Sequence, residues 1–339
     1  MPRYQDDFFA LFFLISLVFL YIFQNSFFSY PFYSINNKIH GFIISVFIQG
    51  GEQNMFIKTT AAQIRFLLKR NGAIITFFIL LAMVLFNFIS NVLAFQGKDV
   101  IEMYHPMKLL LLSWNQTYLT PDRTLFLIQL YPLLVVCPAG FALASERQTG
   151  EDILLAAKLG NIRYRFSKIL AAFAVTMIVF TIPFLIEIIL NCLAFPLTAA
   201  GDLMNLNCYQ EEYFRMTESY LFTGLYQVSP YIYALVLTLL FGILSGILGA
   251  FTAAVSSLFY IKFRILLFLP VFALLNVTIM ISDWFHMQNS SVSAAWYSYF
   301  LLFADSKTLY GPVFALAVLL LILLTAAGAY IGGRKDCVR

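Results

Sequence analysis

Residues 229–257, SPYIYALVLTLLFGILSGILGAFTAAVSS, contain no charged side chain. A hydrocarbon core about 30 Å thick takes roughly 20 apolar residues per helical crossing. A run of this length therefore leaves few alternatives to a membrane-spanning helix, and it is not isolated. Comparable runs occupy 73–95, 124–144, 166–195, 265–282 and 311–333, separated by short polar loops. The 61% hydrophobic share and the mean hydropathy of +0.84 lie beyond the range of a soluble domain. The expected fold class is an all-α polytopic membrane protein with six transmembrane helices. Pro132 and Pro138 are expected to kink the second. No loop is long enough to hold a soluble catalytic domain.

A formal charge of +4 matters less than where the charges fall. Lys58, Arg65, Lys69, Arg70, Arg147, Lys158, Arg163, Arg165, Lys168, Lys262, Arg264, Arg334, Lys335 and Arg339 fall on one set of loops and ends. The other set holds Lys98, Lys108, Arg123, Arg215 and Lys307, diluted by Asp99, Glu102, Asp122, Asp202, Glu211, Glu212, Glu218, Asp283 and Asp305. The positive-inside rule puts the basic set, and with it both ends of a six-span chain, in the cytoplasm. Such a distribution points to a lipid bilayer as partner and not to nucleic acid.

The stretch MFIKTTAAQIRFLLKR, 55–70, places Lys58, Arg65 and Lys69 on one helical face and Ile57, Ala61, Ile64 and Leu68 on another, the pattern of a basic amphipathic helix in the membrane interface. Residues 1–54 fit less well. They form an apolar, Phe- and Tyr-rich extension, and QGGEQN ahead of Met55 can be encoded by a purine-rich GGAGG run like a bacterial ribosome-binding site. The native protein is accordingly expected to begin at Met55, leaving 55–339 as the six-span domain. A native N-terminal peptide from upstream of Met55, detected by mass spectrometry, would overturn that reading. The alternatives for 1–54 are an extra membrane anchor built on LFFLISLVFLYIF and a signal peptide, for which a convincingly basic start and a small-residue cleavage site are lacking.

Between the second and third spans lies SERQTGEDILLAAKLGNIRYRFSK, 145–168, a concentration of charge in a chain only 11% charged. Thr149 followed by Gly150, Glu151 and Asp152 has the form of a capping box. The two carboxylates suit the start of a helix, Lys158 suits its end, and Gly160 suits its termination. A helix of about three turns is expected there, too short to cross a bilayer. Its apolar residues Ile153, Leu154 and Leu155 need cover, either from a partner protein or from the ends of the spans. A solvated connector between two spans is the plainer alternative.

Glu146, Arg147 and Gly150 in a Glu-Arg-x-x-Gly pattern, the Leu154-Leu155 pair, and Lys158, Gly160, Arg163 and Lys168 in AKLGNIRYRFSKILAA resemble the cytoplasmic segment of bacterial ABC transporter permeases of the type-two exporter family. Two positions depart from the common pattern: Glu151 follows Gly150 where a threonine is usual, and Leu159-Gly160 stands where a proline is frequent. The resemblance implies a six-span permease domain over 55–339 with an interfacial helix before the first span. It further implies a coupling helix between spans two and three and re-entrant helices between spans five and six. It implies a separate nucleotide-binding ATPase subunit and a second permease copy or sister permease as partners. The location implied is the bacterial plasma membrane. Glu146, Arg147, Gly150, Glu151, Asp152, Leu154, Leu155, Lys158, Arg163 and Lys168 would then make the contact with the ATPase. The chain has no GxxxxGK[ST] phosphate loop, so hydrolysis would belong to the partner, with no catalytic residue and no cofactor here. The alternative is a non-transporting scaffold or sensor that uses the same helix to bind a cytoplasmic partner.

Several other features bear on function. Glu187 lies near the outer end of the third span, where an ionised carboxylate is costly. It either lines a transport pathway or reaches outer water beside Asn191. GILSGILGA, 242–250, supplies small residues every four positions for close helix contact, within the chain or between copies. In 283–306, Trp284, Trp296 and Tyr299 suit headgroup depth. The four cysteines and the isolated His40, His105 and His286 give no metal-ligand spacing. Cys192 and Cys208 are read as unpaired.

Overall fold

The structure, a computed structural model, describes residues 52–113, 121–199, 209, 221–259, 264–288, 296–299, 301–303 and 311–334. Among these residues all regular structure is helical, apart from an isolated bridge between Ser113 and Leu302. In chain order the helices are α1 (Glu52–Leu68), α2 (Asn71–Phe95), α3 (Pro121–Val136), α4 (Ala142–Thr149), α5 (Glu151–Leu159), α6 (Asn161–Ala194), α7 (Thr223–Val228), α8 (Pro230–Leu258), α9 (Phe268–Gln288) and α10 (Gly311–Arg334). The chain divides into two compact units, Met1–Ala62 and Gln63–Arg339. The second holds every helix from α2 onward.

Among the described residues, four helices are long and apolar enough to cross a membrane: α2, α6, α8 and, from Phe314, α10. The apolar parts of α3 and α9 are shorter, Arg123–Val136 and Phe268–Ile281. The expected second span over 124–144 is therefore corrected. It is helical only to Val136, turns through 137–141 and resumes as the separate helix α4. The break falls at Pro138, which has no N–H to donate to the helix ladder. Gly140 comes next but one, where an added Cβ would sit 2.8 Å from Thr252 Cγ2 of α8, so the turn passes α8 at backbone distance. Pro132, by contrast, lies within continuous helix.

Helices α6 and α8 form the central pair, with α2 against α6 and α10 against both. The glycines of 242–250 make this close approach possible. Gly242 faces Thr181, Gly246 faces Phe173 and Gly249 faces Thr176, so the small-residue stripe is a contact within the chain. Around it Tyr131 stacks on Trp296 at 4.6 Å, Phe184 meets Phe241 edge-on at 5.2 Å, and the Tyr131 hydroxyl pairs with Ser245 at 2.9 Å. Of the aromatic residues expected at headgroup depth, Trp296 and Tyr299 are buried in protein and Trp284 is exposed. Leu316, Leu319, Leu320 and Leu323 of α10 face outward, as do Phe78, Phe86, Ile89 and Leu93 of α2. Such surfaces fit a lipid environment.

Residues 96–113 follow α2, and although the charge pattern places both Lys98 and Lys108 on the outer side, the second half of this stretch runs into the protein. From His105 to Ser113 every residue is buried. A short 3-10 turn, Pro106–Leu109, begins the segment, and the Leu302 N–H donates to Leu112 O at 2.9 Å where it ends. The acidic loop 202–218 apart from Tyr209, with Cys208, and the re-entrant helices expected between residues 283 and 306, apart from 283–288, 296–299 and 301–303, lie outside the described residues, as do His40 and residues 1–51. The Trp296–Tyr299 stretch is a single 3-10 turn.

Candidate functional site

The charged stretch 145–168 folds as two short helices and the start of a long one. Thr149 is the last residue of α4 and not the cap of the next helix, which corrects the capping-box expectation. Its hydroxyl donates back to Glu146 O at 3.0 Å. Gly150 takes the left-handed conformation, φ 75°, and joins α4 to α5. This geometry favours glycine because it has no Cβ to clash. Glu151 and Asp152 occupy the first turn of α5 and Lys158 its last, with Gly160 closing it.

Tertiary contacts sort the side chains of this stretch into two groups. Glu146 is 4% exposed and Lys168 1%. The Lys168 ammonium bonds the Glu146 carboxylate and donates to Gln63 Oε1 at 2.7 Å, while the Tyr164 hydroxyl bonds the other carboxylate oxygen. Phe66 lies beneath the same ammonium, 5.4 Å from ring centre to nitrogen. Every oxygen of the carboxylate is thus engaged, which is what a buried ion pair needs to persist.

Arg147 points the other way, at the end of α8. It donates to Ser256 O at 2.7 Å and to the carbonyls of Ser257 and Phe259. These are carbonyls without helical partners, at the negative pole of α8. Arg165 adds a bond to Ser257 O at 3.2 Å and holds Asn161 Oδ1, and Asn161 Nδ2 donates to Gly333 O of α10 at 2.8 Å. The ends of α6, α8 and α10 are tied together here. Asp152 stands 3.9 Å from Arg147. Burial raises its carboxyl above the ordinary carboxylate range, and the neighbouring guanidinium counters that shift.

The remaining face of α5 is outward. Leu154 is 66% exposed and Ile153 48%. Lys158 and Arg163 are exposed, and Glu151 and Leu155 half-buried. Of the residues expected to act together, Glu146, Arg147 and Lys168 therefore anchor α4, Asp152 ties α5 to Arg147 of α4, and Leu154, Lys158 and Arg163 face outward. Gln63, Tyr164, Asn161 and Arg165 complete the anchorage and escaped the sequence reading. The signal was available in part: Tyr164 and Lys168 are four apart and so share a helical face.

A second polar cluster surrounds the buried segment 105–113 at the far end of α6. Asn87 and Asn91 on α2 both donate to Leu109 O, at 2.9 and 2.7 Å. The Leu111 N–H donates to Glu187 Oε1 at 2.8 Å, and Asn191 donates to Pro106 O at 3.3 Å. Thr124 of α3 bonds Leu111 O at 3.0 Å. Irregular backbone away from water must find such partners. Two i, i+4 polar pairs, Asn87/Asn91 and Glu187/Asn191, provide them from facing helices. Glu187 is 1% exposed, so it does not reach outer water.

His105 opens the segment. Its Nδ1 accepts from the Met107 N–H at 3.2 Å, and its ring packs against Tyr209 and Tyr231 at 5.1 and 5.3 Å. Burial, with Lys108 nearby, lowers its pKa to about 4 from the usual 6.5. The folded form thus holds fewer protons than the unfolded chain between those values. The contribution of neutral His105 is complete above pH 6.5 and is lost progressively as the pH falls toward 4, by on the order of 3 kcal/mol. Thermal unfolding of the His105→Asn variant, whose amide oxygen can still accept from Met107, is expected to show a shallower acid dependence over that interval than the parent. Equal slopes would show that His105 does not carry the effect.

No protein-family model matches the chain, and neither the curated proteins nor the solved structures contain a match to it.

Proposed function

We propose that this chain is the membrane-spanning permease subunit of an ATP-driven exporter, and that α5 is where a separate ATPase subunit docks. The observation that carries the reading is the anchored but outward-facing α5. It is nine residues long, too short to cross a membrane. It is joined through Gly150 to α4, whose Glu146 and Arg147 are held by Lys168 of α6 and by the carbonyl end of α8, and its outward face holds Ile153, Leu154 and Lys158. A lever needs both properties, a rigid attachment and an exposed contact, if a partner's movement is to bias the packing of the spans.

In this reading α3 and α9 are the second and fifth membrane segments, and both ends of the chain lie in the cytoplasm. A second permease copy or sister permease completes the assembly in the bacterial plasma membrane. Nucleotide binds only to the ATPase. The absence of a phosphate loop from the sequence and the resemblance at 145–168 support the same assignment.

The test is to purify the tagged chain from its native membranes and measure the ATPase that co-purifies, for the parent and for Leu154→Asp and Lys158→Glu. Neither side chain supports the fold, so both variants are expected to reach the membrane at parental levels. Recovered ATPase is expected to fall about tenfold or more for Leu154→Asp, as for a central apolar contact. Unchanged recovery and unchanged ATP hydrolysis in both variants would rule the docking role out.

A further inference from the structure

Glu187 has an asymmetry that its role in holding the segment does not require. Oε1 accepts from both Asn87 Nδ2 and the Leu111 N–H, each at 2.8 Å. Oε2, equally buried, has no hydrogen-bond donor. Four residues on, Asn191 uses its Nδ2 to hold Pro106 O, and its Oδ1 is likewise buried without a donor. Residues four apart on a helix are neighbours on one face. Two acceptor oxygens therefore lie on the same strip of α6, each short of a hydrogen.

The surrounding charges do not supply what an ionised carboxylate would need. Helices α2 and α8 contain no Asp, Glu, Lys or Arg. Tyr233 of α8 uses its hydroxyl as acceptor for the Phe303 N–H at 3.2 Å. Arg123 of α3 donates to Asn87 Oδ1 at 3.0 Å and lies over Phe86, so an amide separates it from Glu187. Lys108 of the buried segment lies over Phe303, and His105 faces Tyr209 and Tyr231. On α6 itself Lys168 is nineteen residues away, roughly 28 Å along the helix, and Arg334 of α10 sits over Tyr330, near the Gly333 end tied to Asn161. A guanidinium that engages a carboxylate ordinarily does so directly and in a bidentate manner. Here it stops at the intervening amide.

We propose that Glu187 is a proton-binding site: in this conformation its carboxyl carries a proton on Oε2 and shares it with Asn191 Oδ1, and it releases that proton to water when the 106–113 segment lifts away from α2 and α6. The O–H bond breaks, the electron pair stays on the carboxylate, and water takes the proton. One proton satisfies both lone acceptors at once, and Oε1 keeps its two donors. Protonation thereby favours the seated segment, and an ionised Glu187 favours its departure to where water can solvate the charge. The proton site is independent of whatever docks at α5.

The full chain in lipid nanodiscs provides the test, by infrared spectroscopy with isotope-labelled glutamate carboxyls and by amide hydrogen exchange at Leu111. At neutral pH a protonated-glutamate carbonyl band is expected, lost in Glu187→Gln and shifted in frequency in Asn191→Leu. Glu187→Gln offers an oxygen to Asn87 and Leu111 and an NH2 to Asn191. It is therefore expected to keep the Leu111 protection of the parent, whereas Glu187→Ala loses it on the order of tenfold to a hundredfold. Alkaline titration of the parent is expected to remove the band and the Leu111 protection together, and to leave Glu187→Gln unchanged. If no glutamic-acid band is present in the parent at neutral pH, the proposal fails, a reading that needs no variant to fold. It also fails if the band is removed at alkaline pH while Leu111 stays protected.

Discussion

Replacing Lys168 by Met is expected to destabilise the chain by about 3 to 5 kcal/mol, the usual effect of removing one partner from a buried ion pair. The Glu146 carboxylate would keep only the Tyr164 hydroxyl in a position 4% exposed, and Gln63 would lose its contact at 2.7 Å. The methionine fills much the same volume, so the loss would come from the stranded charge and not from a cavity. Glu146→Gln made in the Lys168→Met background removes that charge and is expected to recover a large part of the stability. Unfolding of the parent, the two single variants and the double variant in one detergent gives the coupling directly. Additive single effects would show that the two side chains do not act as a pair. In the exporter reading, Lys168→Met also loosens α4, to which α5 is joined at Gly150, and should weaken ATPase recovery together with stability. Leu154→Asp should weaken recovery alone, which separates anchorage from contact.

Gly246→Leu is expected to be nearly as damaging. A Cβ at this position would lie 2.9 Å from both the backbone oxygen and the Cδ2 atom of Phe173. A ring can rotate, but a helix carbonyl on the facing span cannot move without moving the span. Overpacking a well-filled contact costs about 1 to 3 kcal/mol in ordinary cores, and this is the most extensive helix contact among the described residues. The expected loss is therefore about 3 kcal/mol, seen as a lower unfolding midpoint and a lower yield of folded protein. Ala317→Leu, at an exposed position of α10, controls for the added bulk and is expected to be close to neutral. A midpoint for Gly246→Leu equal to that of the control would mean that α6 and α8 separate more easily than their packing implies.

The features legible beforehand were those that depend on local chemistry. Uncharged runs placed α2, α6, α8 and α10 to within a few residues, because the bilayer imposes the same length on every crossing. Gly160 was legible as a helix end. Gly150 lay inside the expected cap and proved to be the joint between two helices. Thr149 misled because its hydroxyl serves equally well bonded back within the preceding helix, and tertiary packing of Glu146 and Arg147 settles which helix it joins. The run 124–144 read as one span because hydropathy does not register that Pro138 and Gly140 allow the chain to turn against Thr252. Residues 107–112, MKLLLL, lie between two spans and carry no local signal of their burial, which depends on Asn87, Asn91, Glu187 and Thr124 satisfying their backbone from three other helices.

The partition of charge is where sequence and structure divide most clearly. By itself the sequence determined that the chain is helical, apolar and built for a membrane, and that the polar stretch 145–168 interrupts it. Each of those properties arises from residues adjacent in the chain. Only the tertiary structure decided that Glu146, Arg147 and Lys168 face inward while Leu154 and Lys158 face outward, and that Glu187 is bonded to a loop and not to water. A charged side chain is held inside only if partners from distant parts of the chain meet it with the right geometry, and that meeting is a property of the packed helices.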